Sequence, residues 1–152
     1  MFAVIRIRGT VNVRKDLKDT LKMLRLDATN NCVLLPEVEN YKGMLQKVRS
    51  LVTWGEIDKE TLVAMLKKRM RISSEKKVDE KILKQATGFD SFEKFAEALI
   101  AGKIKIKDFD QIKKVFRLTP PSKGFKSVKD FYPAGDLGHR GKEINELLER
   151  MI

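Results

Sequence analysis

Five cations, Arg14, Lys15, Lys18, Lys22 and Arg25, recur through residues 13–26 at spacings that a helix would turn into one stripe. At 100° per residue they share a single arc. Val13, Leu17, Thr20, Leu21 and Leu24 share a second arc about 100° wide, and Asp16 and Asp19 fall in the gap between them. Long cations about one turn apart match a row of phosphates. An ordinary solvated face mixes both signs for i,i+4 pairing, so this sorting favours a polyanionic partner over a surface that is merely charged.

The residues offer little for catalysis. There is one histidine, no phosphate-binding Walker loop, no His/Cys metal spacing and no serine in a nucleophile-elbow pattern, so no catalytic residue, metal or cofactor is expected. One enzymatic alternative is an acylphosphatase-like loop at Arg8, Gly9, Thr10 and Val11, which would need a partner asparagine, Asn31 or Asn40. His139, in the run Gly138, His139, Arg140, Gly141, reads as an RNA or backbone contact rather than a base.

Composition agrees with a polyanionic partner. The chain has 152 residues, 42% of them hydrophobic, enough for one good core or one core and a satellite. Its net charge is +11, an excess that phosphate binding exploits through counterion release. Residues 1–72 hold 15 basic and 8 acidic residues, a net +7, while 73–115 and 116–152 carry +2 each, so the front half holds most of the signal. The high charged fraction, 35%, resembles a thermophile's composition, which would explain many charges but not their imbalance. No stretch approaches the roughly 18 uncharged apolar residues of a membrane span, so no membrane is expected. The opening MFAVIRIRG is too short an apolar run, interrupted by Arg6 and Arg8, to read as a secretory signal. The single cysteine, Cys32, excludes an internal disulfide, fits a reducing cytoplasm, and reads as a buried small hydrophobe.

The elements that must position the cations follow from periodicity. Residues 2–8 begin as an apolar run and end in alternation, a strand buried at its start and emerging on a basic face at Arg6 and Arg8. After the helix at 13–26, Asn30 and Asn31 signal a turn, and Cys32 to Leu35 form a short strand stopped by Pro36. A second helix starts at Asn40 as N-cap, with Tyr41, Met44, Leu45, Val48 and Leu51 inward and Lys42, Gln46 and Arg49 outward. A third strand spans 52–57. Three strands with both helices on one face make a two-layer α+β unit, expected to form a first domain over 1–57.

Residues 58–152 read as a mostly helical extension. Asp58 caps a helix to about 72, ending in Lys67, Lys68, Arg69 and Arg71, which suit either the helix dipole or a polyanion. A polar link occupies 73–77. Helices at 79–87 and 90–101 stop at Gly88 and Gly102, the second opened by a capping box at Asp90 and Glu93. Residues 103–107 alternate, as loop or strand, and 110–115 form a helical turn or two. The tail from Phe116 holds three of the four prolines and four of the nine glycines, with rings and cations interleaved as in segments that lie on folded RNA. It reads either as a binding segment or as a strap across the core, and a helix carrying Ile144, Leu147, Leu148 and Met151 closes the chain.

Several stretches together resemble a known family. Ala3 to Gly9, a basic helix, Cys32 and Val33 with Pro36, Gly43 to Leu45, and Val52 to Gly55 are similar to the L-thirty family of large-subunit ribosomal proteins. Phe116 to Leu118, Pro120 and Pro121, Gly124 and Phe125, and Gly135 to Gly141 before Ile144 resemble its archaeal members and their eukaryotic counterpart, L-seven. The tail is absent from the short bacterial form, and the long basic extension of the eukaryotic form is missing, a combination that points to an archaeon. The resemblance implies a ferredoxin-like three-stranded antiparallel sheet with two helices on one face. It also implies a structural protein of the 50S subunit in the cytoplasm, bound to 23S rRNA with 5S rRNA nearby and other ribosomal proteins as neighbours. Carried across, Arg6, Arg8, Gly9, Thr10, Arg14, Lys18, Lys22 and Arg25 would face RNA, with Arg117, Lys123, His139 and Arg140 as second contacts. Lys15, Lys42 and Arg49 complete the set. A non-ribosomal regulatory RNA-binding module is the closer rival. The strands lack the aromatic pair of a single-strand reader, and Trp54 and Tyr41 sit at packing positions.

Overall fold

A computed structural model describes residues 1–72 and 76–152. Ser73, Ser74 and Glu75 of the expected polar link lie outside the described residues. The first elements come in the expected order: β1 (Phe2–Arg6), α1 (Lys15–Met23), β2 (Asn31–Leu35), α2 (Glu39–Lys47) and β3 (Val52–Glu56). β1 lies between β2 and β3, antiparallel to both, with Ile5 opposite Cys32 and Thr53.

The α+β class is as expected, but the sheet is larger than three strands. The tail adds β4 (Phe116–Arg117), antiparallel to β2, and β5 (Gly138–His139), parallel to β3, in the order β4-β2-β1-β3-β5. Each addition pairs with an edge whose N–H and C=O groups would otherwise be open. The tail is therefore a strap.

Both α1 and α2 lie on one face of the sheet, as expected, and the extension covers the other. Phe2, Val4, Val33, Leu35, Val52 and Trp54 form one face, packed on Leu21, Leu24 and Leu26 around α1 and on Leu45 and Val48 around α2. Ala3, Ile5 and Cys32 form the other face. It is covered by α3 (Lys59–Arg69), α5 (Phe92–Ile100) and α6 (Ile144–Glu149), with Leu83 of α4 (Glu80–Thr87) in the same cluster. The sheet is thus sandwiched, with three layers in place of two. A strand buried on both faces has apolar residues at both parities, which is why Phe2 to Ile5 show no alternation. Gly55 lets the far layer close: a Cβ there would lie 1.9 Å from Gly141 O and 3.0 Å from Ile144 Cβ.

The local signals hold at some helix ends and not at others. Val38, and not Asn40, is the N-cap of α2, and no side chain caps it. Asp58 does precede α3, yet its carboxylate accepts from Asn145 Nδ2 at 3.1 Å and caps no helical N–H. Ser91 caps α5 by accepting from Lys94 N at 3.4 Å, one residue later than the expected box. Gly88 and Gly102 end their helices in left-handed backbone, at φ 78° and 70°. The alternating stretch 103–107 is not a strand; it runs into a 3-10 turn, Ile106–Asp108. Residues 110–115 form no helix, and Ile112 instead bridges Ile72. Gly141–Glu143 makes a 3-10 turn that leads into α6.

Phe95 is fully buried between Phe89 and Phe109, with ring centroids at 5.5 and 5.7 Å. Phe95→Ala is expected to lower stability by about 3–5 kcal/mol in urea denaturation. A loss below 1 kcal/mol would show that the far layer is not a packed core.

Candidate nucleic-acid interface

The helical segregation expected at 13–26 is realised in α1. Thr20, Leu21 and Leu24 are buried, Val13 and Leu17 are half-buried, and Arg14, Lys15, Lys18, Lys22 and Arg25 are exposed. The helix is shorter than expected at both ends. Its C-terminus closes as a Schellman motif: Arg25 N donates to Lys22 O at 2.9 Å and Leu26 N donates to Leu21 O at 2.9 Å. Arg25 takes the left-handed position, φ 60°, where glycine is usual. A strained backbone thus presents a cation at the end of the stripe. Asp16 accepts from Arg14 at 3.2 Å, a pair too exposed to fix either side chain firmly.

The loop before α1 is open. Arg8, Gly9, Thr10, Val11 and Asn12 are all exposed, Val11 at 86%. Ile7 N and Arg8 N both donate to Leu51 O, at 3.0 and 3.1 Å, which fixes where the loop leaves the sheet. Gly9 has no positive φ, and a Cβ on it would meet nothing within 4 Å. The same holds for Gly43 in α2, beside Lys42, which bonds Glu39 at 3.0 Å and whose pKa that hydrogen bond raises. Nothing within the chain requires glycine at either place.

Two of the expected contact residues are internal. Arg6 is 2% exposed, so the strand does not emerge on a basic face. Its Nη1 donates to Leu26 O and Asp27 O, both at 2.6 Å, and its Nε to Arg8 O at 2.9 Å. Burial lowers its pKa, with Asp27 opposing. Arg140, 9% exposed, donates to Asp136 Oδ1 at 2.6 Å and Thr53 Oγ1 at 3.1 Å, and lies over the Tyr132 ring. A guanidinium can be buried only where carbonyls or a carboxylate replace its water, and both sites supply them. As placed, neither can meet a phosphate.

The other tail and α2 candidates are spread apart. Arg49 sits 5.3 Å from the Phe131 ring centre. His139 is half-exposed, 3.7 Å from Glu56 and flanked by Phe2 and Trp54. Arg117 on β4 pairs with Asn31, and Lys123 turns the tail at φ 65°. Of the C-terminal cations of α3, Arg69 bonds Thr119 Oγ1 and Ile152 O at 3.1 and 2.8 Å. Lys113 and Lys114, in a stretch where the pattern predicts a helical turn and no contact, line a cleft with Arg25 and Arg117. Adjacent lysines in a segment that turned out irregular were the available signal.

Cys32 is fully buried, and burial pushes its thiol up to about 12, which makes it inert at neutral pH. Among the described residues no group of His, Cys, Asp and Glu converges to hold a metal, and no helix is long and apolar enough to cross a membrane. Neither principal cleft is lined by Arg8, Gly9, Thr10 or Val11.

Arg140→Ala, which leaves the buried Asp136 carboxylate without its cation, is expected to cost about 3–5 kcal/mol in denaturant titration. Gly43→Ala should instead raise stability by about 0.5–1 kcal/mol, as for an unneeded glycine inside a helix. A destabilised Gly43→Ala protein would show that glycine serves the fold there after all.

Comparison with known proteins gives the family. The profile of the family described as Ribosomal protein L30p/L7e matches residues 2–52, the span from β1 into β3. The chain is 48% identical over 151 residues to the large ribosomal subunit protein uL30 of Archaeoglobus fulgidus, covering 99% of each. It is 49% identical over 154 residues to the protein of the same name from Methanococcus maripaludis strain S2, again with 99% of each covered. The Nanoarchaeum equitans protein of that name is 48% identical over 155 residues, spanning 100% of this chain and 99% of its own. Near-identical lengths and nearly half the residues in common, tail included, leave no room for the acylphosphatase alternative: the chain belongs to the ribosomal protein L30p/L7e family.

Proposed function

We propose that the protein is a structural constituent of the large ribosomal subunit in the cytoplasm, and that it binds 23S rRNA, with 5S rRNA nearby, through α1 and the loop before it. The observation that carries this reading is the exposed stripe Arg14, Lys15, Lys18, Lys22 and Arg25 on a helix whose opposite face is locked in the core. Arg8, Gly9 and Thr10 extend it, since an exposed loop with an open glycine admits close approach by a sugar-phosphate backbone. Lys42 with Gly43 repeats the arrangement on α2, which contacts α1. Residues 1–57 serve as the RNA-gripping unit, and the extension 58–152 braces it and meets neighbouring ribosomal proteins. The names of the relatives support the ribosomal assignment over a free regulatory module.

Replacing Arg14, Lys18 and Lys22 together by Gln should weaken 23S rRNA binding and leave the thermal transition in place. Each lost phosphate contact should reduce the slope of log K against log salt by about 0.7–0.9. An unchanged slope would remove the helix face from the interface. Sedimentation through a high-salt sucrose gradient separates the two RNA-binding readings. Recovery with the large subunit is expected, and recovery only in the free pool would sink the ribosomal one.

A further inference from the structure

Two clefts flank the C-terminal end of α1, and Arg25 and Lys114 line both. The first, of about 420 Å³, is walled largely by apolar side chains, among them Leu34, Val38, Ile100 and Ile104, with the Tyr41 ring. Seven large hydrophobic side chains are exposed among the described residues. Three of them, Met23, Val38 and Ile100, at 73%, 47% and 40%, line this one cleft. Its cations are Arg25, Lys105, Lys107 and Lys114, against Glu37 as the single acid. The second cleft, of about 590 Å³, is polar, lined by Thr29, Asn30 and Asn31 and by Arg25, Lys113, Lys114 and Arg117, with Asp27 the acid.

We propose that the paired clefts form one site for a nucleotide turned out of an RNA helix. Its base enters the apolar cleft, and its phosphates cross Arg25 and Lys114 into the polar one. The proposal rests on the rRNA-binding reading and adds to it a second contact surface, distinct from the stripe on α1. An unstacked base presents an apolar ring on a polyanionic strand, and such bases are what proteins recognise in folded RNA. Charge decides between this occupant and an apolar peptide. The rim carries four cations against one lining acid, with Lys114 paired to Asp110 at 3.3 Å, and it shares Arg25 and Lys114 with a second cleft of the same sign. A phosphate chain leaving the base fills both clefts, whereas an apolar peptide fills only the first.

The test uses the full chain assembled into large subunits, with a photoreactive benzoylphenylalanine at position 100 or, separately, at position 18. Position 100 is expected to crosslink to an unpaired rRNA nucleotide, and position 18 to rRNA elsewhere. A crosslink from position 100 to protein overturns the proposal and gives the cleft to a protein segment. Silence at position 100 with an rRNA crosslink from position 18 overturns it while the α1 reading stands. Failure of position 18 to reach rRNA removes the reading beneath it. In solution, Val38→Gln with Ile100→Gln, both at exposed positions, should weaken binding to deproteinised 23S rRNA by about tenfold, within the range for loss of one base contact. The salt slope should stay unchanged, because no phosphate contact is lost. Unaltered affinity would count against a base in the cleft.

Discussion

The central strand β1 is hydrogen-bonded along both edges and buried on both faces, and the other elements take their positions from it. Phe2 and Val4 join the core beneath α1 and α2, while Ala3 and Ile5 join the core beneath α3, α5 and α6. Four consecutive residues therefore couple the two layers. The strand's last residue carries the coupling further. Arg6 holds the carbonyls of Leu26 and Asp27, immediately after the turn that closes α1, and its own carbonyl accepts from Asn30 N at 2.7 Å. One buried guanidinium at the end of β1 thus ties down the chain where it leaves α1, while the core holds the helix's apolar face.

The arginines divide by role. Arg6, Arg69, Arg140 and Arg150 act as internal ties, each bonding backbone carbonyls of segments that have no regular pairing of their own. Arg150 Nη2 reaches Ser122 O at 2.8 Å as well as Gly124 O, and so anchors the start of the tail. A planar fork with five donors suits this work, since it can satisfy several carbonyls at once and stays charged when partly desolvated. Lysine's compact, strongly hydrated charge belongs at the surface, and the lysines of α1 are all exposed. A net charge of +11 accordingly overstates the cations available to a partner.

Composition leaves irregular segments open. Prolines, glycines, rings and cations mixed over 116–141 suit either a segment laid on RNA or a strap across the core. In the fold the same residues form two edge strands, a buried Asp136 that bonds Arg140 and accepts from Ser127 N at 3.2 Å, and rings beneath Arg49 and Arg140. The cation–ring alternation was real, but its partners were largely within the chain. Arg6 was misjudged for a related reason. Alternation placed it opposite Ile5, correctly, but that face is closed by the α1–β2 turn, whose carbonyls lie 20 and 21 residues downstream.

Periodicity alone determined the strand-helix order of residues 1–56, the buried side of α1 and the sorting of its cations, because those depend on contacts within a turn or a strand. The apolar run Phe2 to Ile5 also held the evidence for a sheet covered on both faces, although it was read as two layers. The five-stranded sheet, the internal ties of Arg6 and Arg140 and the paired clefts around Arg25 and Lys114 were decided only by tertiary structure. Each of these joins residues tens of positions apart, and local pattern carries no information about which distant carbonyl or edge a side chain will meet. The stripe on α1 was legible because a helix sorts its own residues; where that stripe points depends on the core beneath α1 and the Arg6 tie after it, and so on the fold.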